Sequence, residues 1–188
     1  MPPATPRADL LAAAIAVFLR YGYKKTSMDD VARAAGISRQ GLYLHFPSKE
    51  LLFGEAATCL AAELLTRMRA ALAEPGRPVQ QRLVDAFTAL RPEAGDSAHS
   101  LEHMAEIVAT ARQLVGPVLQ QFDQDLLDAL AQALEDGGIA ARWAPQGIHA
   151  RALAAHLLAA SHGLKHQAPT AAEYQAGMRV AVQLVCGA

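Results

Sequence analysis

The chain of 188 residues holds only two cysteines, Cys59 and Cys186, too few for a disulfide framework or a four-thiolate metal site. Aromatic residues make up 5% of it, so the apolar mass is mostly Ala and Leu, a composition suited to packed helices rather than sheets. The longest unbroken apolar run, Leu10 to Leu19, is ten residues, against the ~20 a membrane span needs, and no transmembrane helix is expected. A basic start and a small-residue cleavage site are also missing, since Asp9 closely follows Arg7, and a cytoplasmic protein is expected. There is no phosphate-binding glycine loop, because Gly137-Gly138 reads as a helix stop. Ser161 and His162 are direct neighbours, which is poor geometry for a nucleophile and its base on one helix. No enzyme is expected, and no cofactor or metal is assigned.

Hydrophobic residues make up 52% and charged residues 19%, a globular composition. The net charge of −1 hides an asymmetry. Residues 1–50 hold seven Lys/Arg and four Asp/Glu, while the remainder holds ten and fourteen. A basic N-terminal quarter on an acidic body points to a polyanionic partner.

Periodicity and punctuation predict an all-α chain of about nine helices. After a Pro-rich tail over 1–6, expected to be disordered, a helix spans 8–21, with Leu11, Ile15, Phe18 and Leu19 on one face and Gly22 as its C-cap. Ser27, followed by Asp29 and Asp30, caps a second helix ending near Ala35. Ser38 caps a third through about His45. Pro47 and Ser48 introduce a long fourth helix from Lys49 to about Ala73. Further helices are predicted over 78–90, 100–115, 117–136, 146–164 and 171–185. The domains expected are a helix-turn-helix over 7–48 and a helical ligand-binding and dimerisation domain over 49–188.

Two short helices joined by Gly36-Ile37-Ser38 are what a helix-turn-helix needs. Gly36 supplies the positive φ of the turn, and Val31, Ile37 and Leu42 would seal the pair. The stretch resembles the DNA-binding domain of TetR-family transcriptional repressors. The matching pieces are Phe18 to Gly22, Thr26 with Val31-Ala32, Ala35 to Ser38, Gly41-Leu42-Tyr43, His45-Phe46 and Ser48 to Leu52, in order over about residues 8–54.

The resemblance implies a homodimer that puts its third helix into the major groove of a palindromic double-stranded DNA operator. Ser38, Arg39, Gln40 and Gly41 open that helix, with Arg39 and Gln40 suited to guanine and adenine edges. Gly41 would let the backbone come close to the DNA. Tyr43, His45 and Lys49 would touch phosphates, and Thr26 and Ser27 would add contacts at the second helix's N-terminus. Phe46 is expected in the core.

For the rest of the chain the resemblance is architectural. It implies a small-molecule inducer of unassigned identity, with Leu64, Met68, Phe87, His103, Met104, Val108, Phe122 and Trp143 as candidate pocket residues. It also implies a dimer formed by the last two helices, where Leu153, Leu157, Ala160, Leu164, Met178, Val182 and Val185 are the candidate face. Cys59 is expected to be a buried apolar residue.

Six of the seven histidines follow residue 98, and His99/His103 and His162/His166 are each one helical turn apart. His99-x-x-Glu102-His103 matches a zinc-peptidase pattern but brings no third ligand. A metal-responsive regulator using His99 and His103 is the alternative reading, beside a helical metal- or metabolite-handling protein that binds no specific DNA.

Overall fold

A computed structural model describes residues 6–91, 98–168 and 170–187, with side chains described for all of these except 98–102 and 166. Among the described residues the chain is all-helical. The helices are α1 (Arg7–Tyr21), α2 (Met28–Ala34), α3 (Arg39–His45), α4 (Lys49–Leu72), α5 (Val79–Ala89), α6 (Ala98–Asp136), α7 (Ile139–Trp143), α8 (Ala150–Gln167) and α9 (Ala171–Cys186). None is long and apolar enough to cross a membrane. Residues 1–5 of the tail expected over 1–6 lie outside the described residues, as do 92–97 after α5, while Pro6 is described as the N-cap of α1.

Three boundaries differ from the sequence reading. The helices expected over 100–115 and 117–136 form one run, α6, but Val115 breaks it with φ −132° and ψ 36°. The break falls just before Pro117, which has no N–H to bond back along the helix. The five-residue α7 was not anticipated, because it is too short for a periodic pattern. A 3-10 turn over Ala144–Gln146 and an extended His149 then hold back α8 to Ala150 rather than 146.

The described residues form two compact units, those within 1–62 and 93–120, and those within 63–92 and 121–188. The divide falls inside α4 and inside α6. The segment 7–48 lies wholly in the first unit, which also takes in 49–62 and 98–120.

The first unit closes over Leu10, Ala14 and Phe18 of α1, Val31 of α2, Leu42 of α3, and Leu52 and Phe53 of α4. Phe46 is fully buried among them. Phe18, Tyr23 and Phe53 form an aromatic knot, with Phe53's ring edge-on to the other two at centroid distances of 4.9 and 4.8 Å. Each such pair adds about 0.5–1.5 kcal/mol beyond the area it buries.

The second unit packs Met68, Leu83, Phe87, Leu130, Leu134, Leu157 and Met178 around Tyr174. Tyr174 is the largest fully buried side chain among the described residues. Its hydroxyl lies 2.7 Å from Ser161 Oγ and donates to the Phe87 carbonyl at 3.4 Å, so the polar tip is satisfied inside the core. Arg142 and the indole N–H of Trp143 donate to the Cys186 and Val185 carbonyls, completing the C-terminal end of α9.

This packing turns five of the seven residues expected at the dimer face inward. Leu153, Leu157, Met178, Val182 and Val185 are buried in their own unit's core. Ala160 and Leu164 are half-buried, and Leu164 is so close to α9 that a Cβ on Gly177 would lie 2.5 Å from one of its methyls. The outward side of α9 instead carries Val180 and Leu184, 59% and 72% exposed. That of α8 carries exposed Ala155 and Ala159. The expectation for Cys59 is corrected: it is exposed, and Cys186 is the buried thiol.

Candidate nucleic-acid interface

The geometry of α3 follows from its ends. The Gly41 N–H donates to Ser38 Oγ at 3.0 Å, capping the helix, and a Cβ on Gly41 would press on that same oxygen at 3.2 Å. Leu42, fully buried, pins one face to the core. Arg39, Gln40, Tyr43, Leu44 and His45 are left exposed. The Arg39 guanidinium lies over the Tyr43 ring, 5.6 Å from its centroid, as residues four apart on a helix can.

The far end of α3 is held by a residue the sequence reading passed over. Arg7, at the start of α1, makes a two-pronged ion pair with Glu55 of α4, at 2.6 and 2.7 Å. It also donates to the His45 carbonyl at 3.4 Å and lies 4.4 Å from the centre of the Phe46 ring. One guanidinium thus ties α1, α3 and α4 together.

An open cleft of about 480 Å³ lies beside α3, lined among others by Ser27, Arg39, Tyr43, Ser48 and Lys49. Its entrance is ordered by caps. Ser27 and Asp30 form a reciprocal capping box at the start of α2, and the Ser27 hydrogen bonds hold the Asp30 carboxyl below its usual pKa. Lys49 stands 4.3 Å from the centre of the Tyr23 ring, its ammonium donating to the Lys24 carbonyl at 3.5 Å. The Tyr23 hydroxyl donates to Glu50 at 3.1 Å. Burial first, then that bond and the Glu50 charge, push the phenol up to about 12.

Thr26 requires a correction. It lies among the cleft residues but is 3% exposed, and its hydroxyl donates to the Gly22 carbonyl at 2.7 Å. That hydroxyl is committed to the α1–α2 connection and is not available to a phosphate. Ser27 is exposed, with its oxygen engaged in the capping box. Leu44 was missed by the sequence reading. At 83% it is the most exposed large apolar side chain among the described residues, and its position two residues after the core residue Leu42 was the available signal.

The candidate pocket residues divide between the units. Met68 and Phe87 are fully buried in the second, with Leu64, Phe122 and Trp143 packed around that core. His103, Met104 and Val108 belong to the first, and Val108 is 41% exposed. The side chains of His99, Glu102 and His166 lie outside the described residues, and the two histidine pairs with them.

Residues 10–56 match the model of the bacterial regulatory proteins of the tetR family. The HTH-type transcriptional regulator YhgD of Bacillus subtilis is 29% identical over 128 residues, 68% of this chain and 66% of its own length. IcaR of Staphylococcus aureus, the negative transcriptional regulator of the biofilm operon icaADBC, is 37% identical over 46 residues, 24% of this chain and 25% of its own. The chain thus spans just under two thirds of the first of these curated relatives and a quarter of the second. Two Rhodococcus crystal structures extend the likeness to the whole chain. A TetR-like regulator has 27% identity and a TM-score of 0.64, covering 98% of this chain and 96% of its own. A transcriptional regulator has 25% identity and a TM-score of 0.67, covering 95% and 94%.

Proposed function

Because the chain belongs to the TetR family of bacterial regulatory proteins, a family of regulators rather than enzymes, we propose that it is a DNA-binding transcriptional repressor. It acts as a homodimer on a palindromic operator. The observation that carries this reading is α3 itself: a capped helix, clamped at its far end by Arg7, that presents Arg39 and Gln40 to solvent beside the Lys49 cleft. Arg39 and Gln40 read base edges. Tyr43, His45 and Lys49 hold phosphates and fix the register.

Dimerisation uses the outward sides of α8 and α9. Val180 and Leu184 stand one turn apart on α9, and Ala155 and Ala159 likewise on α8, so both outer faces can approach a second copy closely. Exposed Leu and Val of this kind are what an apolar interface core would cover. Each dimer then engages two half-sites together, and neither head alone holds the operator. A small molecule bound by the chain lowers operator affinity, and a coupling of about 1–3 kcal/mol would change it about 5–150-fold.

The test is selection of bound duplexes from a random pool, followed by titration of the winner at two salt concentrations. The expected result is a palindromic consensus bound at least ~10³-fold above background, with affinity falling steeply in salt. A pool without enrichment, obtained again after the protein has been unfolded and refolded free of small molecules, would overturn the reading.

A further inference from the structure

We propose that Leu44 is a specificity-determining residue that reads the C5-methyl group of a thymine in each half-site of the operator. The inference rests on the DNA-binding reading above and deepens it.

Among the described residues, Leu44 is not part of the first unit's core. The core face of α3 is marked by Leu42, fully buried, and by Phe46, fully buried at the helix end. An α-helix turns about 100° per residue, so Leu44 stands about 200° round from Leu42, close to the point facing directly away from the core. Its 83% exposure agrees with that placement. Gln40 lies one turn earlier on the same outward stripe, whereas Arg39 and Tyr43 form the neighbouring one, joined by their cation–π contact. The outward stripe of α3 is therefore a polar tip followed by an apolar tip, Gln40 then Leu44.

Major-groove chemistry determines what the apolar tip can meet. Guanine, cytosine and adenine present hydrogen-bond donors and acceptors at the groove floor, and thymine alone adds an apolar group, its C5-methyl. A leucine pressed on a donor or acceptor would strip it of water and return nothing. Pressed on a methyl, it removes apolar surface from water on both sides. Four residues of helix advance about 6 Å, close to two steps of the 3.4 Å base-pair rise, so the thymine lies within about two base pairs of the base read by Gln40.

The test uses the selected operator and replaces its thymines by deoxyuridine one position at a time, symmetrically in both half-sites. This exchange deletes the methyl and leaves every donor and acceptor in place. The wild-type protein is expected to lose affinity about fourfold per half-site at one position, the worth of one apolar carbon withdrawn from water. Leu44→Ala is expected to bind the thymine and deoxyuridine operators alike. Selection with that variant should lose its preference at the same position and keep those set by Arg39 and Gln40. The side chain is exposed and Ala is a good helix former, so the variant keeps its fold, which a thermal melt checks. Three results overturn the proposal: indifference of the wild type to every replacement, a loss that persists undiminished in Leu44→Ala, or a consensus with no thymine within reach of Gln40's base. A wild-type protein that enriches no sequence overturns the DNA-binding reading and this proposal with it.

Discussion

The Glu106 carboxylate on α6 accepts a hydrogen bond of 2.7 Å from the main-chain N–H of Lys24, in the connection between α1 and α2. Its other oxygen lies 2.9 Å from the position a Cβ on Gly22 would take, and the His103 ring lies 3.2 Å from the same point. The first unit therefore braces the approach to its helix-turn-helix from α6. Gly22 makes this possible twice over, by having no side chain and by adopting φ +80° and ψ 164°.

Gly22→Ala should accordingly destabilise the protein by about 1–3 kcal/mol from backbone strain alone, with the crowding against Glu106 and His103 in addition. Gly36 also has a positive φ, of +68°, but a Cβ there would meet nothing within 4 Å. Gly36→Ala should lose less. Thermal melts of the two variants give the order, and an equal or reversed loss would show that the brace from α6 carries no strain.

Arg39→Ala and Lys49→Ala should fail differently on DNA. Loss of Arg39 should relax the preference at one base pair, costing about 1–3 kcal/mol against the preferred sequence only. Loss of Lys49 should weaken all sequences alike and reduce the slope of log affinity against log salt by about one per site. A uniform loss from both would erase the division between reading and positioning.

Two leucines should separate folding from assembly. Leu157 is fully buried, and Leu157→Ala should cost about 2–5 kcal/mol of stability. Leu184→Glu should leave the melting temperature of the subunit nearly unchanged and yield a monomer with weakened operator binding. Sedimentation at several concentrations distinguishes the two, and a Leu184→Glu protein that stays dimeric would place the interface elsewhere.

Acid should act on the α2 cap. Hydrogen bonds from Ser27 lower the folded-state pKa of Asp30, so the unfolded chain takes up its proton first as the pH falls. The cap's contribution is then complete above the ordinary Asp pKa of about 3.9 and disappears as the pH falls through the lower, folded value. Asp30→Asn should melt earlier than the wild type at neutral pH and converge with it in acid. Parallel melting curves at every pH would contradict the assignment.

The N-terminal elements were legible because their signals are local. Ser27 with Asp30, Ser38 with Gly41, and Gly22 and Gly36 at helix ends all act within a few residues of themselves. Arg7 and Glu106 were not legible, since their partners lie 48 and 82 positions away with no periodic trace. On α8 and α9, Ala and Leu occur on every side, so hydrophobicity could not distinguish the stripe turned inward from the stripe left open. Leu157 and Leu184 look alike in the sequence, and only packing separates them. Thr26 was recognised as a position of interest, but a hydroxyl that bonds back to Gly22 looks the same in the sequence as one free to donate outward.

The contrast between the two thiols has an experimental use. Cys59 is exposed in the first unit, at a groove shared with Leu51, Gly54 and Leu114, whereas Cys186 is buried and its thiol is pushed up by burial. A maleimide dye should therefore react at one place in the native protein. The chain's single tryptophan, Trp143, belongs to the second unit and is held by its hydrogen bond to Val185. The natural sequence thus carries one fluorescent donor and one attachment point for an acceptor, on different units. Energy transfer between them can report, in real time and with no residue changed, how the two units respond to DNA or to a candidate inducer.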